Sequence, residues 1–148
     1  MKLSPDIIEK RLSQWSVARL ATISAEGRPH QIPIVFVWQD GKIWSPVDGK
    51  PKRGSTLKRV QNALANPEAS LLLDEYDDDW SQLWWLRIDV SVEVIYLNEI
   101  SDKERIRARE AGTALARKYP QYKTTEVLTE PPTLLAMTPT KYSSWQAN

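Results

Sequence analysis

The segment 50–56, which reads Lys-Pro-Lys-Arg-Gly-Ser-Thr, has the residue types that bind an anion such as phosphate. It places three cations, a glycine and two hydroxyls directly before a predicted helix. Free backbone N–H groups and the positive end of a helix dipole favour an anion there, and Lys or Arg adds charge-assisted hydrogen bonds. The pattern GxxxxGK[ST] is absent, so the segment is not a P-loop. The competing interpretation is a solvated basic turn before a helix capped by Ser55 or Thr56.

The chain has seven tryptophans, one histidine and no cysteine. These counts exclude disulfides, cysteine-based metal sites, thiol catalysis and a multi-histidine metal site within one chain. For His30, a surface or hydrogen-bonded role is favoured over acid–base catalysis. Because a tryptophan ring is large and its N–H needs a partner, seven of them suggest a flat ligand, a subunit interface, or both.

Aromatic and acidic residues concentrate in YDDDWSQLWWLRID, residues 76–89. Strand alternation places Trp84 and Trp85 on opposite faces, so that one faces the core and the other a partner or ligand. A core position plus a dimer interface is favoured over direct stacking on a cofactor. Three consecutive aspartates, 77–79, could bind a divalent ion, but a solvated acidic turn is the favoured interpretation, and no metal site is predicted.

The 148 residues are 41% hydrophobic and 26% charged, which indicates one globular domain over residues 1–148. The net charge of +1 gives no support for nucleic-acid binding. No signal-peptide core and no window approaching ~18 apolar residues is found, so neither a membrane span nor export is expected. We therefore expect a cytoplasmic protein.

Hydrophobic periodicity and turn residues predict three helices and six strands. The predicted helices are 5–14, one that continues through 57–65, and 102–119; the predicted strands are 17–24, 29–38, 42–47, 68–74, 83–97 and 133–145. Because consecutive strands are joined mainly by tight turns, the sheet should be antiparallel, and a barrel would remove its edges. The expected fold class is mainly β: an antiparallel six-stranded barrel with helices.

In this order the segments resemble a known family. The runs ARLATISAEGRPHQIPIVF (18–36), WSPVDGKPKRG (44–54) and LANPEASLLLD (64–74) are similar to the FMN-binding split barrel of the pyridoxamine 5′-phosphate oxidase-like superfamily. The resemblance covers residues 5–98 well and the C-terminal helix and strand loosely. Segment 76–89 resembles a branch of deazaflavin (coenzyme F420) enzymes.

The resemblance implies a homodimer with two cofactors, FMN or F420, in clefts between the subunits, acting on a small-molecule substrate. It implies that the cofactor phosphate is held by the matching residues Lys50, Lys52, Arg53, Ser55 and Thr56. It implies that the ring lies along the third strand, at Trp44, Ser45, Pro46 and Val47, with Ile34, Val35 and Phe36 as neighbours. Trp44 is then the tryptophan expected at the ring, and Trp84 or Trp85 the one expected at the partner.

Two departures from the family pattern argue against oxidation of pyridoxamine phosphate itself. Ile32 and Val37 stand where those oxidases carry an Arg and a Lys that contact the FMN phosphate. The chain also ends in TKYSSWQAN, without the basic substrate motif of those oxidases.

Three functions remain open on the sequence. The first is a flavin- or deazaflavin-dependent oxidoreductase, in which the ring supplies the reactivity that the side chains lack. The second is a non-catalytic module that binds or senses flavin or haem, with His30 as the available axial ligand. The third, a nucleic-acid-binding barrel, is disfavoured by the net charge and the acidic turn.

Overall fold

The structure is a computed structural model that describes residues 1–47 and 57–148. Three α-helices lie in these residues: α1 (Pro5–Gln14), α2 (Lys58–Ala65) and α3 (Asp102–Lys118). The strands are β1 (Ala18–Ile23), β2 (Pro29–Ile34), β3 (Val37–Gln39), β4 (Lys42–Pro46), β5 (Glu68–Glu75), β6 (Trp84–Tyr96) and β7 (Thr133–Gln146).

Helix α1 has the predicted bounds, and α3 begins at the predicted residue and ends at Lys118, one residue before the predicted end. The Ser4 hydroxyl accepts a hydrogen bond from the Ile7 N–H at 3.3 Å, and the Ser101 hydroxyl accepts one from the Glu104 N–H at 3.3 Å. For α2 the N-cap position belongs to Leu57, without a side-chain cap. Ser55 and Thr56, the predicted caps, lie outside the described residues.

All strand pairs are antiparallel, in the order β2-β1-β5-β6-β7-β4-β3. The first and last strands of this order, β2 and β3, follow each other in the chain with only Val35 and Phe36 between them. The two edges of the sheet therefore meet at these residues, and the sheet curls into a barrel. We call Val35 and Phe36 the seam. The sequence predicted one strand over 29–38; its break at the seam is why the sheet has seven strands rather than six.

The described residues form two hydrophobic clusters that stabilise the barrel. The larger one fills its interior and includes Leu20, Phe36 and Ile88, which are all fully buried. The second packs α3 onto β4 and the β7 segment beside it, with Trp44 and Leu115 among its members. Helix α3 is thereby fixed against the barrel, which brings the residues after it next to the seam.

The acidic turn is held by its own hydrogen bonds. The Asp77 carboxylate accepts the Asp79 N–H at 2.7 Å, and the Asp79 carboxylate accepts both the N–H and the hydroxyl of Ser81. These bonds from Ser81 lower the pKa of Asp79. Within residues 1–47 and 57–148 no three His, Cys, Asp or Glu side chains are grouped so that they could hold a metal ion. None of the described helices has both the length and the apolar composition needed to cross a membrane.

Candidate functional site

A cavity of about 580 Å³ lies at the seam. The end of β2, the end of β4, the first turn of α2 and residues 122–129, which follow α3, surround it. Its apolar lining comes from Pro33, Ile34, Val35, Pro46 and Val127, and its polar lining from Ser45, Arg59, Tyr122, Thr124, Thr125, Glu126 and Thr129. The lining thus combines apolar surface with hydroxyl and charged groups that could orient a small ligand.

Ser45 ties two walls of the cavity together. Its hydroxyl donates a hydrogen bond to the Val35 carbonyl at 2.8 Å, and its side chain is almost completely buried. Ser45 lies on β4 and Val35 on the seam, so this bond holds β4 against the seam. The hydroxyl oxygen keeps lone pairs that can accept a hydrogen bond from a ligand.

Four of the residues predicted at or beside the ring line the cavity, namely Ile34, Val35, Ser45 and Pro46, whereas Phe36 does not. Trp44 and Val47 do not line it. The Trp44 ring packs with the cluster under α3, and its indole N–H donates to the Gln39 carbonyl at 2.9 Å. Because neighbouring residues on a strand face opposite ways, Trp44 is turned away where Ser45 is turned in. Stacking of a ring on Trp44 stays a prediction.

The predicted phosphate-binding residues Lys50, Lys52, Arg53, Ser55 and Thr56 lie outside the described residues. Their segment connects β4 to α2, and the flanking residues Pro46 and Arg59 both line the cavity. The predicted anion site thus lies in the sequence between two residues of the cavity lining, Pro46 of β4 and Arg59 of α2.

Sequence reasoning missed Arg59 and the segment 122–129. Arg59 is half-buried, and its Nη2 atom lies 3.5 Å from the Pro46 carbonyl oxygen. Arg59 lies in the first turn of the helix that follows the basic segment, so the pattern that predicts an anion site at 50–56 also points to this cation. Residues 122–129 show no periodicity or motif, and they reach the cavity only because α3 packs back onto the barrel.

His30 is placed away from the cavity. It lies on β2 opposite Thr22 of β1, its buried Nδ1 atom has no hydrogen-bond partner in residues 1–47 and 57–148, and it does not line the cavity. A haem bound in the cavity would therefore lack the axial ligand that the sequence offered.

The sequence profile of the family named pyridoxamine 5′-phosphate oxidase matches residues 5–146. The chain belongs to this family, and its fold is the split barrel of the pyridoxamine 5′-phosphate oxidase-like superfamily. No match was found among curated proteins.

Several solved structures share the fold. An FAD-binding protein of Mesorhizobium loti is 18% identical, with a TM-score of 0.73 over 97% of this chain and 93% of that one. The haem storage protein HutZ of Vibrio cholerae is 17% identical, with a TM-score of 0.70 over 99% and 95% of the two chains. A protein named F420 reductase is 20% identical, with a TM-score of 0.61 over 91% and 94%. At these identities the likeness shows the fold alone.

Proposed function

We propose that this protein is a cytoplasmic oxidoreductase that binds FMN or coenzyme F420 in the seam cavity and acts on a small substrate. The observation that carries the proposal is the place of Val35, Ser45 and Pro46. The family resemblance predicts that the ring lies at these residues. All three line one cavity, and the basic segment 50–53 comes shortly after Pro46 in the sequence.

The described residues fit such a ligand in size and chemistry. The cavity volume of about 580 Å³ falls in the range of small-molecule sites. Pro33, Val35 and Pro46 offer apolar surface to a flat ring, while Ser45 and Arg59 offer a hydroxyl and a cation to its polar edges. When bound, the ring supplies the hydride or electron transfer. The chain's own residues bind and orient it and exclude water from its apolar side.

Similar folds in an FAD-binding protein and an F420 reductase support a flavin-type ring without selecting one. The departures at Ile32 and Val37 and at the C-terminus support a substrate other than pyridoxamine phosphate.

We further propose a homodimer in which a second copy covers the outer face of the sheet. Strand register runs one row of residues across this face: Pro33, Arg19, Leu72, Arg87 and Ser143 are paired in that order. The row starts at cavity-lining Pro33, so a partner seated on it would also border the cavity. This supports a cleft shared by two subunits.

Aromatic and apolar residues lie on this face on both sides of the row, Trp85 and Trp145 on one side and Ile23 on the other. Trp85 is half-buried and pairs with Trp145, which is 40% exposed, and Ile23 of β1 is 41% exposed. Charges of both signs lie among them, with Arg19 bonded to Asp74 at 2.8 Å and the Arg87 guanidinium 5.6 Å from the Trp85 ring. Apolar surface with mixed charges suits the self-complementary contact of a two-fold dimer. Trp84 is buried in the core, so Trp85 is the tryptophan available to the partner.

The proposed function is tested by titrating the purified chain separately with FMN and with F420, following ligand fluorescence and tryptophan quenching. We expect one of them to bind with a Kd in the micromolar range or tighter. Substituting Thr125→Trp, an exposed residue on the cavity wall, should block the cavity and weaken binding by about tenfold or more. Ser13→Trp, on the exposed side of α1 and outside both the cavity lining and the proposed dimer face, is the matched control. Failure of the native chain to bind either ligand would refute the proposal.

A second candidate is a non-catalytic flavin- or haem-binding protein, which the shared fold with HutZ favours. The position of His30 outside the cavity counts against haem. The two candidates differ in one measurement: an oxidoreductase reduces its bound ring with a nicotinamide donor or a reduced substrate, whereas a binding module leaves the absorbance of the bound ring unchanged.

A further inference from the structure

Among the described residues, side chains bond to three backbone groups of the seam: the Val35 carbonyl, the Phe36 N–H and the Phe36 carbonyl. Val35 and Phe36 lie between β2 and β3, outside both ladders, and Phe36 is fully buried. A buried backbone polar group must find a partner elsewhere when the sheet does not supply one. Ser45 already serves the Val35 carbonyl.

The end of α3 serves the backbone of Phe36. The Tyr119 hydroxyl oxygen accepts a hydrogen bond from the Phe36 N–H at 2.9 Å. The Lys118 ammonium donates to the Phe36 carbonyl at 2.9 Å, and its Nζ atom lies 3.8 Å from the centre of the Phe36 ring. Among the described residues Lys118 forms no salt bridge, and burial lowers its pKa to about 8. Its placement is therefore set by Phe36 rather than by a carboxylate.

Lys118 and Tyr119 are not redundant. The Tyr119 hydroxyl lies 2.8 Å from the Ser16 carbonyl and 2.9 Å from the Phe36 carbonyl, but it has one proton to donate. With Lys118 on the Phe36 carbonyl, that proton is free for Ser16. Removal of Lys118 leaves two carbonyl acceptors, that of buried Phe36 and that of exposed Ser16, competing for one donor.

Tyr119 also contacts another wall of the cavity. Its ring packs edge-to-face on Tyr122, with 6.1 Å between ring centres and 86° between planes, and Tyr122 lines the cavity. Tyr119 thus contacts the seam through its hydroxyl and Tyr122, on another wall of the cavity, through its ring.

We propose that Lys118 and Tyr119 are positioning residues of the candidate site: they hold the backbone of Phe36 and thereby set the spacing of the Val35 and Tyr122 walls. The consequence for ligand binding rests on the proposed function. The effect on the walls themselves does not, so the two can be tested apart.

The test compares Tyr119→Phe, Lys118→Met and Lys118→Arg with the native chain. In ligand-free protein, amide hydrogen exchange at Phe36 should rise about tenfold in Tyr119→Phe, and exchange at Val35 and Tyr122 should rise with it. Binding of FMN and F420, measured well below the unfolding midpoint of each variant, should weaken about tenfold in Tyr119→Phe and Lys118→Met. Lys118→Arg, which keeps a cationic donor, should restore most of the affinity.

Ser144→Ala is the matched control, because it removes a hydroxyl that accepts the Leu3 N–H at 3.0 Å, far along β7 from Leu135, the residue paired with Ser45. It should lower the unfolding midpoint and leave ligand affinity unchanged. Equal loss of affinity in Ser144→Ala would reduce the effect to general destabilisation and overturn the proposal. Unchanged exchange at Phe36, or unchanged affinity alongside raised exchange, would also overturn it.

If the native chain binds neither ligand, the proposed function fails while the positioning role is still decided by exchange. Faster exchange at both Val35 and Tyr122 in Tyr119→Phe would support it. A rise confined to Phe36 would overturn it.

Discussion

The two ends of the long β6–β7 ribbon differ in packing: a cavity remains beside one end, and aromatic rings fill the interior at the other. At one end, the β4 residues paired with Leu134 and Leu135 border the seam, where side chains bond to backbone groups and a cavity remains. At the other end, the interior is filled by aromatic rings. Trp84 packs edge-to-face on Trp15 at 4.7 Å, and its N–H donates to Glu75. The polar end leaves room for a ligand, and the aromatic end supplies stability.

The guanidinium of Arg11 shows how tightly the aromatic end is filled. It lies 4.3 Å from the centre of the Trp84 ring and 5.7 Å from that of Trp15. Such cation–π contacts add to the apolar burial of the rings. Outside the same end, Trp85 and Trp145 remain partly exposed, so the aromatic residues there are divided between a filled core and a surface suited to a partner.

The largest effect is expected at the aromatic end. Trp84→Ala should lower the free energy of unfolding by about 3–5 kcal/mol, since it leaves a large cavity in the core. Denaturant unfolding measures the change. Trp80→Ala is the control: Trp80 is 70% exposed, and its loss should change stability by about 0.5 kcal/mol or less. If folded Trp84→Ala protein also loses ligand affinity, the two ends are not independent.

At the cavity end, a substitution is expected to weaken ligand binding and leave stability unchanged. Lys52→Ala should weaken cofactor binding by about 1.5–3 kcal/mol, the range for a hydrogen bond to a charged group. Fluorescence titration measures the affinity, and thermal unfolding without ligand should be unchanged. An affinity equal to that of the native chain would remove Lys52 from the predicted phosphate site.

A substitution on the outer face should weaken dimer assembly and leave the folding of the subunit unchanged. Trp145→Asp should raise the dimer dissociation constant by about tenfold or more, equivalent to ~1.4 kcal/mol, because it puts a charge into the proposed interface. Sedimentation or light scattering at micromolar concentration measures this, with Trp80→Asp as the exposed control. A native chain that is monomeric at micromolar concentration would contradict the shared cleft.

The smallest effect concerns the pH dependence of stability at the seam. Burial lowers the pKa of Lys118 from 10.5 to about 8 in the folded chain. Between these values the unfolded chain binds more protons than the folded one, so the Lys118 contribution to the free energy of unfolding grows as pH rises from 8 to 10.5. Solvent screening keeps it below about 1 kcal/mol. Tyr119 stays protonated throughout, because burial raises its pKa to about 12.

Comparing the stability of the native chain with that of Lys118→Met across this pH window isolates the Lys118 contribution. The difference between the two should shift in favour of the native chain as pH rises. A constant difference would show that Lys118 has no depressed pKa.

Local rules in the sequence determined most elements of this protein. Ser4 and Ser101 cap their helices, Pro120 follows the end of α3, and the alternation of Trp84 and Trp85 separates core from surface. These features depend on neighbours in the chain, so residue type and spacing were sufficient. Resemblance to a family then selected Val35, Ser45 and Pro46, which line the cavity.

Only the tertiary structure decided the break at the seam and the members of the cavity. Residues 29–38 are β-rich throughout, yet barrel closure sends β2 and β3 to opposite ends of the sheet order. Arg59, Tyr119 and Tyr122 reach the seam because α2 and α3 pack back onto the barrel. Such contacts span up to 103 residues, as between Tyr119 and Ser16. They depend on which buried polar groups remain to be paired after the sheet has closed, and no local pattern encodes that.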